Sequence, residues 1–400
     1  MKTWLRIGLF CCALVTAFTA QAQNPAKHAI TFDDLIKMHR VSGAAISKDR
    51  SVAYAVSTPD IEANRSVSNI WVVSASGNST PVQITQGGRD NLPAWSPDGK
   101  TVAFISSRDG TSQVYLLSMA GGEAKKLTQL STGADLFHWS PDGKTIALTS
   151  SVYPDCKDDA CNEKRDADKE KNKVKARIYD HLLYRHWDHW SEGKRSHLFV
   201  VPVDGSAAPK DLTAGADYDV PPEERSGPGD FNFSPDSKEL SFTAVTDKVE
   251  AISTNADLFV VPITGGEAKR ITTQQGFDGN PVYSPDGRYI AYHAQLTPGY
   301  EADKWRVMLY DRQSGKNENL SESFDRSATD LDWSPDSKTI YFLAENETLQ
   351  PIYSMEPCRG HAQKACGWLQ RGICAQRRWK DFGHCANEFD AAQRGLHRFC

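Results

Sequence analysis

The sequence predicts an all-β protein, a β-propeller of four-stranded antiparallel blades. Three observations predict it. A turn phrase, aromatic-Ser-Pro-Asp-Gly/Ser-Lys/Arg, recurs along the chain. Its copies follow one another at a period of 44–50 residues, with one double interval of 94. The apolar residues after each copy alternate or run in short blocks instead of following the 3.6-residue period of helical repeats. About four strands at that period make a propeller blade, whereas a β-helix needs a shorter period.

The chain opens with a secretory leader over residues 1–22. Lys2 and Arg6 supply a positive start, Ile7 to Ala20 an apolar run, and Ala20-Gln21-Ala22 a small-x-small cleavage site. The run is too short for a comfortable membrane span. The expectation is export, most simply to a periplasm, with cleavage after Ala22 and no membrane attachment afterwards. Such a compartment tolerates disulfides.

The propeller is expected over residues 23–355. Its six turn phrases begin at Ser47, Ser96, Ser140, Ser234, Ser284 and Ser334, the first of them a worn copy, Ile46-Ser47-Lys48-Asp49. Proline presets φ for the second turn position, Asp can bond the backbone, and glycine accepts a conformation that other residues resist. A strand follows each turn, such as Thr101-Val102-Ala103-Phe104-Ile105. A further strand comes next, as in Leu198-Phe199-Val200-Val201 and Leu258-Phe259-Val260-Val261. A short closing strand then ends in threonine, and Gly121 to Thr128 nearly repeats as Gly265 to Thr272.

The 94-residue interval contains only one Leu-Phe-Val-Val strand and one closing strand, so it reads as a single blade interrupted over about 153–196. The insertion begins with a charge-dense run, Asp155 to Lys175, which suits a solvated helix or loop. Cys156 and Cys161 lie inside it with four residues between them, and in an exported protein they are expected to form a local disulfide.

Residues 356–400 break the grammar. They carry 8 Lys+Arg against 4 Asp+Glu, where residues 1–355 carry 38 against 47, and they hold five of the nine cysteines. The mixture of Cys, Arg, Trp and His suggests a GC-rich gene read out of frame. With codons begun at their second base, Gln376 to Gly383 can encode Ser-Gly-Asp-Gly-Lys-Thr-Leu, the turn phrase again. His361 to Gly367 can encode a closing-strand phrase in the same frame, and a third match lies in Asn387 to Arg398. The expectation is a frame-shifted tail that forms no domain, and a seventh blade in the presumed parent. The alternative, a Cys-rich module, has an odd number of cysteines and lacks a zinc spacing.

Composition excludes several classes. Apolar residues make up 39% and charged residues 24%, which is neither disordered nor collagen-like. Net charge is −5, and no long basic run occurs, so no nucleic-acid partner is expected. Neither a cofactor nor a metal is expected.

The phrase Trp95-Ser96-Pro97-Asp98-Gly99-Lys100 resembles the propeller repeat of TolB-like proteins and of the prolyl oligopeptidase family of serine peptidases. The insertion separates the two. Tyr184-Arg185-His186-Trp187-Asp188-His189-Trp190, running into Glu192 to Val200, resembles the dipeptidyl aminopeptidase/acylaminoacyl-peptidase branch of that family, as does Phe32-Asp33-Asp34-Leu35. The resemblance covers residues 28–355. It implies a propeller that filters peptides for a following α/β-hydrolase domain carrying a Ser-Asp-His triad, with hydrolysis near peptide N-termini. The Gly-x-Ser-x-Gly turn of such a nucleophile does not occur in this sequence. The chain as written is therefore expected to contain no catalytic residues and no hydrolase domain, and to be inactive alone. The alternative is a TolB-like periplasmic propeller that binds a protein partner.

Arg185, His186, Trp187, Asp188, His189 and Trp190 are the candidate peptide-binding residues. Arg and Asp can pair a peptide's charged ends, and Trp rings can stack on its side chains. The competing reading is an aromatic strand that anchors the insertion, with Arg185 and Asp188 a structural pair. His181, His186, His189 and His197 do not converge as metal ligands, because alternate strand positions share a face. Asp217-Tyr218-Asp219 with Glu223-Glu224 can attract a free amino terminus or form a solvated acidic loop.

Overall fold

A computed structural model describes residues 28–76, 79–180, 182–222, 229–357 and 362–366, excluding the side chains of His189 and of 362–366. The described residues form six four-stranded antiparallel sheets, each a meander in chain order. The first is Arg40–Ile46, Ser51–Asp60, Arg65–Ser74 and Val82–Gln83; the second is Asp90–Trp95, Thr101–Ser106, Gln113–Ser118 and Lys125–Lys126. The third is Phe137–Trp139, Thr145–Val152, Arg195–Pro202 and Lys210–Asp211, and the fourth is Phe231–Phe233, Glu239–Ala244, Asp257–Pro262 and Lys269–Arg270. The fifth is Asp278–Tyr283, Tyr289–Ala294, Arg306–Asp311 and Lys316–Asn319; the sixth is Ala328–Trp333, Ile340–Ala344, Ile352–Met355 and Ala362–Cys366. The protein is an all-β propeller. Ahead of it, Thr31 caps a short helix, Phe32–Lys37, through a capping box with Asp34.

Each turn phrase closes in the same way. The serine hydroxyl donates to the aspartate two residues on, at 2.7 Å for Ser96–Asp98 and 2.6 Å for Ser140–Asp142, Ser284–Asp286 and Ser334–Asp336. That bond leads the causes holding the Asp98, Asp236 and Asp336 carboxyls below their usual range. The fourth turn position has positive φ whichever residue fills it: Gly99 at 75°, Gly143 at 71°, Ser237 at 61° and Ser337 at 61°. Serine there bears backbone strain but adds a bond. Ser237 Oγ accepts the Asp142 N–H at 3.1 Å, and Ser337 Oγ accepts the Asp286 N–H at 3.0 Å, each from the preceding blade.

The aromatic residue before the serine ties blades together. Trp95 Nε1 donates to Ala45 O, Trp139 Nε1 to Ala94 O and Trp333 Nε1 to Val282 O, at 3.2, 3.3 and 3.1 Å. Trp95, Phe233, Tyr283 and Trp333 are buried, while Trp139 is half-buried. Core clusters join the first blade to the second and so on through the fifth to the sixth. In the second blade Val102 and Phe104 face the first, and Ala103 and Ile105 face the third, so this strand is buried on both sides.

The closing-strand threonine has a fixed task. Its hydroxyl accepts the first free N–H of the strand beside it: Thr85 from Ile70 at 2.9 Å, Thr128 from Val114 at 3.0 Å, Thr213 from Leu198 at 3.0 Å and Thr272 from Leu258 at 2.9 Å. Ser321 does the same for Val307 at 2.8 Å. All five hydroxyl residues are buried, where an unmet N–H is costly.

The sixth blade corrects the expected boundary at 355. Its fourth strand, Ala362–Cys366, comes from the segment read as a tail without structure, and it pairs Met355 with Ala362 and Tyr353 with Lys364. The Ile352–Met355 edge presents backbone donors and acceptors, and pairing to them needs no side-chain grammar. Residues 367–400, and with them the out-of-frame turn phrase, lie outside the described residues.

Candidate functional site

The third blade leaves its second strand at Val152 and resumes at Arg195, and the residues between are the insertion. Its base is a cluster around Tyr153. The Tyr153 N–H donates to Asn162 Oδ1 at 2.9 Å and its hydroxyl to Asp166 Oδ1 at 2.9 Å. Burial, then that acceptor, push the hydroxyl up to about 12. Arg165 lies 4.6 Å over the ring and pairs with Asp155, while Lys194 reaches Asp166 at 2.7 Å. The charge-dense run thus contains a helix, Asp159–Lys171, capped by Asp158 and pinned at its start by Cys156–Cys161, which are disulfide-bonded with a Cα separation of 5.5 Å. Asp159 accepts the Ser131 N–H and hydroxyl at 3.0 and 2.8 Å, which docks the helix on the loop before the third blade.

A two-stranded hairpin follows, Arg185–His186 paired with His189–Trp190. Trp190 lies 6.1 Å from Tyr179 and 6.2 Å from Tyr184, with the Arg177 guanidinium 5.2 Å over its ring. Trp187 stands at the tip, 84% exposed and with φ of 45°.

Between this hairpin and the blade lies a cavity of about 920 Å³. Arg185, His186 and Trp190 line it; Trp187 and Asp188 do not, and the side chain of His189 lies outside the described residues. The blade side supplies Asp135, Leu136, Thr149, Ser151, Arg195 and Ser196. Asp217, Asp219 and Glu250 complete the wall from the connection between blades and from the fourth blade. The Ser-Pro-Asp turns join first strands to second, whereas the insertion joins second to third. Antiparallel pairing therefore puts the cavity on the face opposite those turns.

Arg195 organises this wall. It donates to Asp217 at 3.2 Å, Asp219 at 2.8 Å and Glu250 at 2.9 Å. Desolvation works against its charge, but Asp219 and Glu250 outweigh that and hold it firmly protonated. The acidic stretch is thus partly spent on Arg195, and Glu223 and Glu224 lie outside the described residues. Asp135 differs. It is exposed and lines the cavity, and desolvation raises its carboxyl; the Ser151 hydroxyl donates to it at a long 3.5 Å.

His197 is buried and bonded through both ring nitrogens, at 2.7 Å to Asp211 and 2.9 Å to Ala216 O, so it serves the fold. His181 lies outside the described residues, and among those described no group of three or more His, Cys, Asp or Glu is placed to hold a metal ion. Sequence reasoning did not single out Asp135, Ser151, Arg195 or Glu250 as site residues. Arg195 lies in the Glu192–Val200 stretch that carries the resemblance, while nothing near Asp135, Ser151 or Glu250 marks them, because the four converge only when two blades pack.

A family model described as the TolB beta propeller domain matches residues 53–169. The chain is 31% identical over 347 residues to dipeptidyl-peptidase 5 of Porphyromonas gingivalis, an alignment that covers 83% of this chain and 48% of the relative. It is 29% identical over 294 residues to dipeptidyl-peptidase 5 of Porphyromonas endodontalis, covering 72% of this chain and 41% of the relative. The chain therefore spans about half the length or less of the curated relatives it matches. Among solved structures, the uncomplexed acylaminoacyl peptidase of Pyrococcus horikoshii superposes with a TM-score of 0.61 at 15% identity, covering 83% of this chain and 47% of that one. That likeness shows the fold.

Proposed function

Because this chain belongs to the prolyl oligopeptidase family of serine peptidases, as a propeller portion of the dipeptidyl-peptidase branch, we propose that it gates and holds peptides for hydrolysis near their N-termini. One observation carries the reading: the insertion that marks the branch walls a cavity holding both signs of charge and an aromatic face. Peptide sites need that mixture, since apolar walls take side chains and a few polar groups fix orientation. The Gly-x-Ser-x-Gly turn does not occur in these 400 residues, and the proposal gives this chain the peptide-holding role alone. Export with cleavage after Ala22 is part of the proposal, and N-terminal sequencing of the cell-made protein tests it.

Photo-crosslinking tests the gating role. A short peptide carrying a benzophenone side chain should label segments 182–196 and 215–221 of the purified chain. Labelling confined to the Ser-Pro-Asp turns would overturn it. A fluorophosphonate should leave the chain unlabelled.

A further inference from the structure

The seam between the fourth and fifth blades departs from the repeat in three residues. Ahead of its turn serine the fourth blade has Phe233, and the second, third and sixth have tryptophan, but the fifth has Tyr283. The Tyr283 hydroxyl donates to Glu239 Oε1 of the fourth blade at 3.0 Å. Glu239 itself stands where other blades carry Thr101, Thr145 and Thr339. The third departure is Arg312. Its N–H donates to Arg288 O at 3.1 Å, as that of Val203 does to Lys144 O and that of Ile263 to Lys238 O, so the three are equivalent in their blades. Val203 packs on the core between the second and third blades, and Ile263 on the core between the third and fourth. Arg312 instead donates to Glu239 and to Gly287 O, with its guanidinium 5.3 Å from the centre of the Tyr283 ring. Where the other seams hold an apolar plug, this one has a cavity of about 460 Å³, with Val260, Ile271 and Tyr310 in its wall.

The polar wall of this cavity is Lys269, Arg288 and Arg312 against two carboxylates, Glu239 and Asp286. Both carboxylates are engaged within the fold: Glu239 by Tyr283 and Arg312, and Asp286 by the Ser284 hydroxyl at 2.6 Å and the Arg288 N–H at 3.0 Å. The cations are less fully used. Arg288 meets Asp311 only at 3.5 Å, and Lys269 is exposed with no ion pair among the described residues. The two bonds of Arg312 occupy two of a guanidinium's five N–H groups. We infer that this seam binds a monocarboxylate carried on an apolar body. The carboxylate is met by Lys269, Arg288 and Arg312, whose charged donors suit it, and the body covers Val260, Ile271 and Tyr310. One surplus positive charge matches a monoanion, whereas a phosphate dianion would face Glu239 and Asp286 and leave the apolar wall bare. The volume lies within the ~300–1,000 Å³ of small-ligand sites. Asp286, Gly287 and Arg288 belong to a Ser-Pro-Asp turn, so this site is on the face opposite the insertion cavity and does not depend on the peptide-holding role given to that cavity.

Calorimetric titration of the purified full chain tests this with isocaproate, isocaproamide, inorganic phosphate and N-acetyl-Gly-Leu, whose carboxylate ends a peptide. Isocaproate should bind about tenfold or more tightly than its amide or phosphate, the range of one charge-assisted hydrogen bond. Lys269→Met, at an exposed position, should lose most of that preference, and Lys269→Arg should retain it. Tyr283→Phe, Glu239→Thr and Arg312→Ile together copy the seam formed by Phe233, Thr145 and Ile263, and should abolish binding by filling the cavity. Tighter binding of N-acetyl-Gly-Leu than of isocaproate would support the site and identify its ligand as a polypeptide C-terminus; the reverse would support it as a site for a free acid. Equal binding of isocaproate and its amide would overturn the proposal, as would phosphate binding as tightly as the acid. Full affinity in Lys269→Met, or in a folded triple variant, would place the acid elsewhere on the molecule and overturn it too. If no carboxylate bound the wild type, this inference would fall and the role of the insertion cavity would be untouched.

Discussion

The smallest repeated device in this protein is a hydroxyl. Thr128 accepts the buried Val114 N–H and donates to Gln113 Oε1 at 2.7 Å. Thr128→Val keeps the shape and removes the acceptor, so it should cost about 1–3 kcal/mol, whereas Thr128→Ser should cost little. Urea unfolding of the two variants checks this, and equal stabilities would refute the role. Asp278 makes a prediction about pH. Burial, with Asp257 nearby, pushes its carboxyl up to about 8. Its unfolded value is near ~4. The native state therefore keeps a proton that the unfolded state has released. Stability from this group is full below ~4 and is lost as pH rises towards 8, at about 1.4 kcal/mol per pH unit or less. Asp278→Asn should flatten the fall in melting temperature between about pH 5 and 8. A slope identical to the wild type would count against it.

At the scale of elements, the insertion is stapled at its base and free at its tip. The disulfide closes a loop of a few residues, so its loss should cost about 2 kcal/mol or less. The loop contains Asp158, the cap of the helix it precedes. Cys156→Ser together with Cys161→Ser should therefore raise tryptic cleavage in the 164–177 run several-fold while the propeller's unfolding midpoint moves little. A collapse of the whole unfolding transition would show that the insertion is integral to the blade. Arg195 spans the third blade, the connection and the fourth. Arg195→Met leaves Asp217, Asp219 and Glu250 facing one another, with Asp219 and Glu250 largely covered. That should cost about 2 kcal/mol or more, and Asp219→Asn should soften the penalty by removing one of the opposed charges. Additive losses in the double variant would refute the coupling.

For the whole molecule the open question is the seam. Ala53, Ala55 and Ile70 of the first blade pack on the second. On the other face Tyr54 sits directly opposite Trp71, and both are only half-buried. Among the described residues no core cluster joins the sixth blade to the first. A half-covered aromatic sheet face favours self-association. Tyr54→Lys with Trp71→Lys should lower light scattering in concentrated solution with little loss of melting temperature. A large loss would mean that this face is already packed in the folded chain.

The propeller was legible in the sequence because its signals are local. A Ser-Pro-Asp-Gly turn bonds within five residues, and strand alternation needs only a pleat, so both repeat visibly whatever lies around them. The insertion was legible for the same reason, as an interval too long for one blade and too poor in strand phrases for two. The Arg185–Trp190 segment was marked as a candidate, but its division was not: Arg185, His186 and Trp190 face the cavity and Trp187 and Asp188 do not. That depends on how the hairpin turns, which short sequence leaves open. The last strand was read wrongly because backbone pairing at an edge is indifferent to side-chain pattern. By itself, then, the sequence determined the blade, its period and the place of its interruption. Only the tertiary structure decided which charges are spent on one another and which, like Asp135, are left facing a cavity, because burial and ion pairing are set by residues far apart in the chain meeting across two blades.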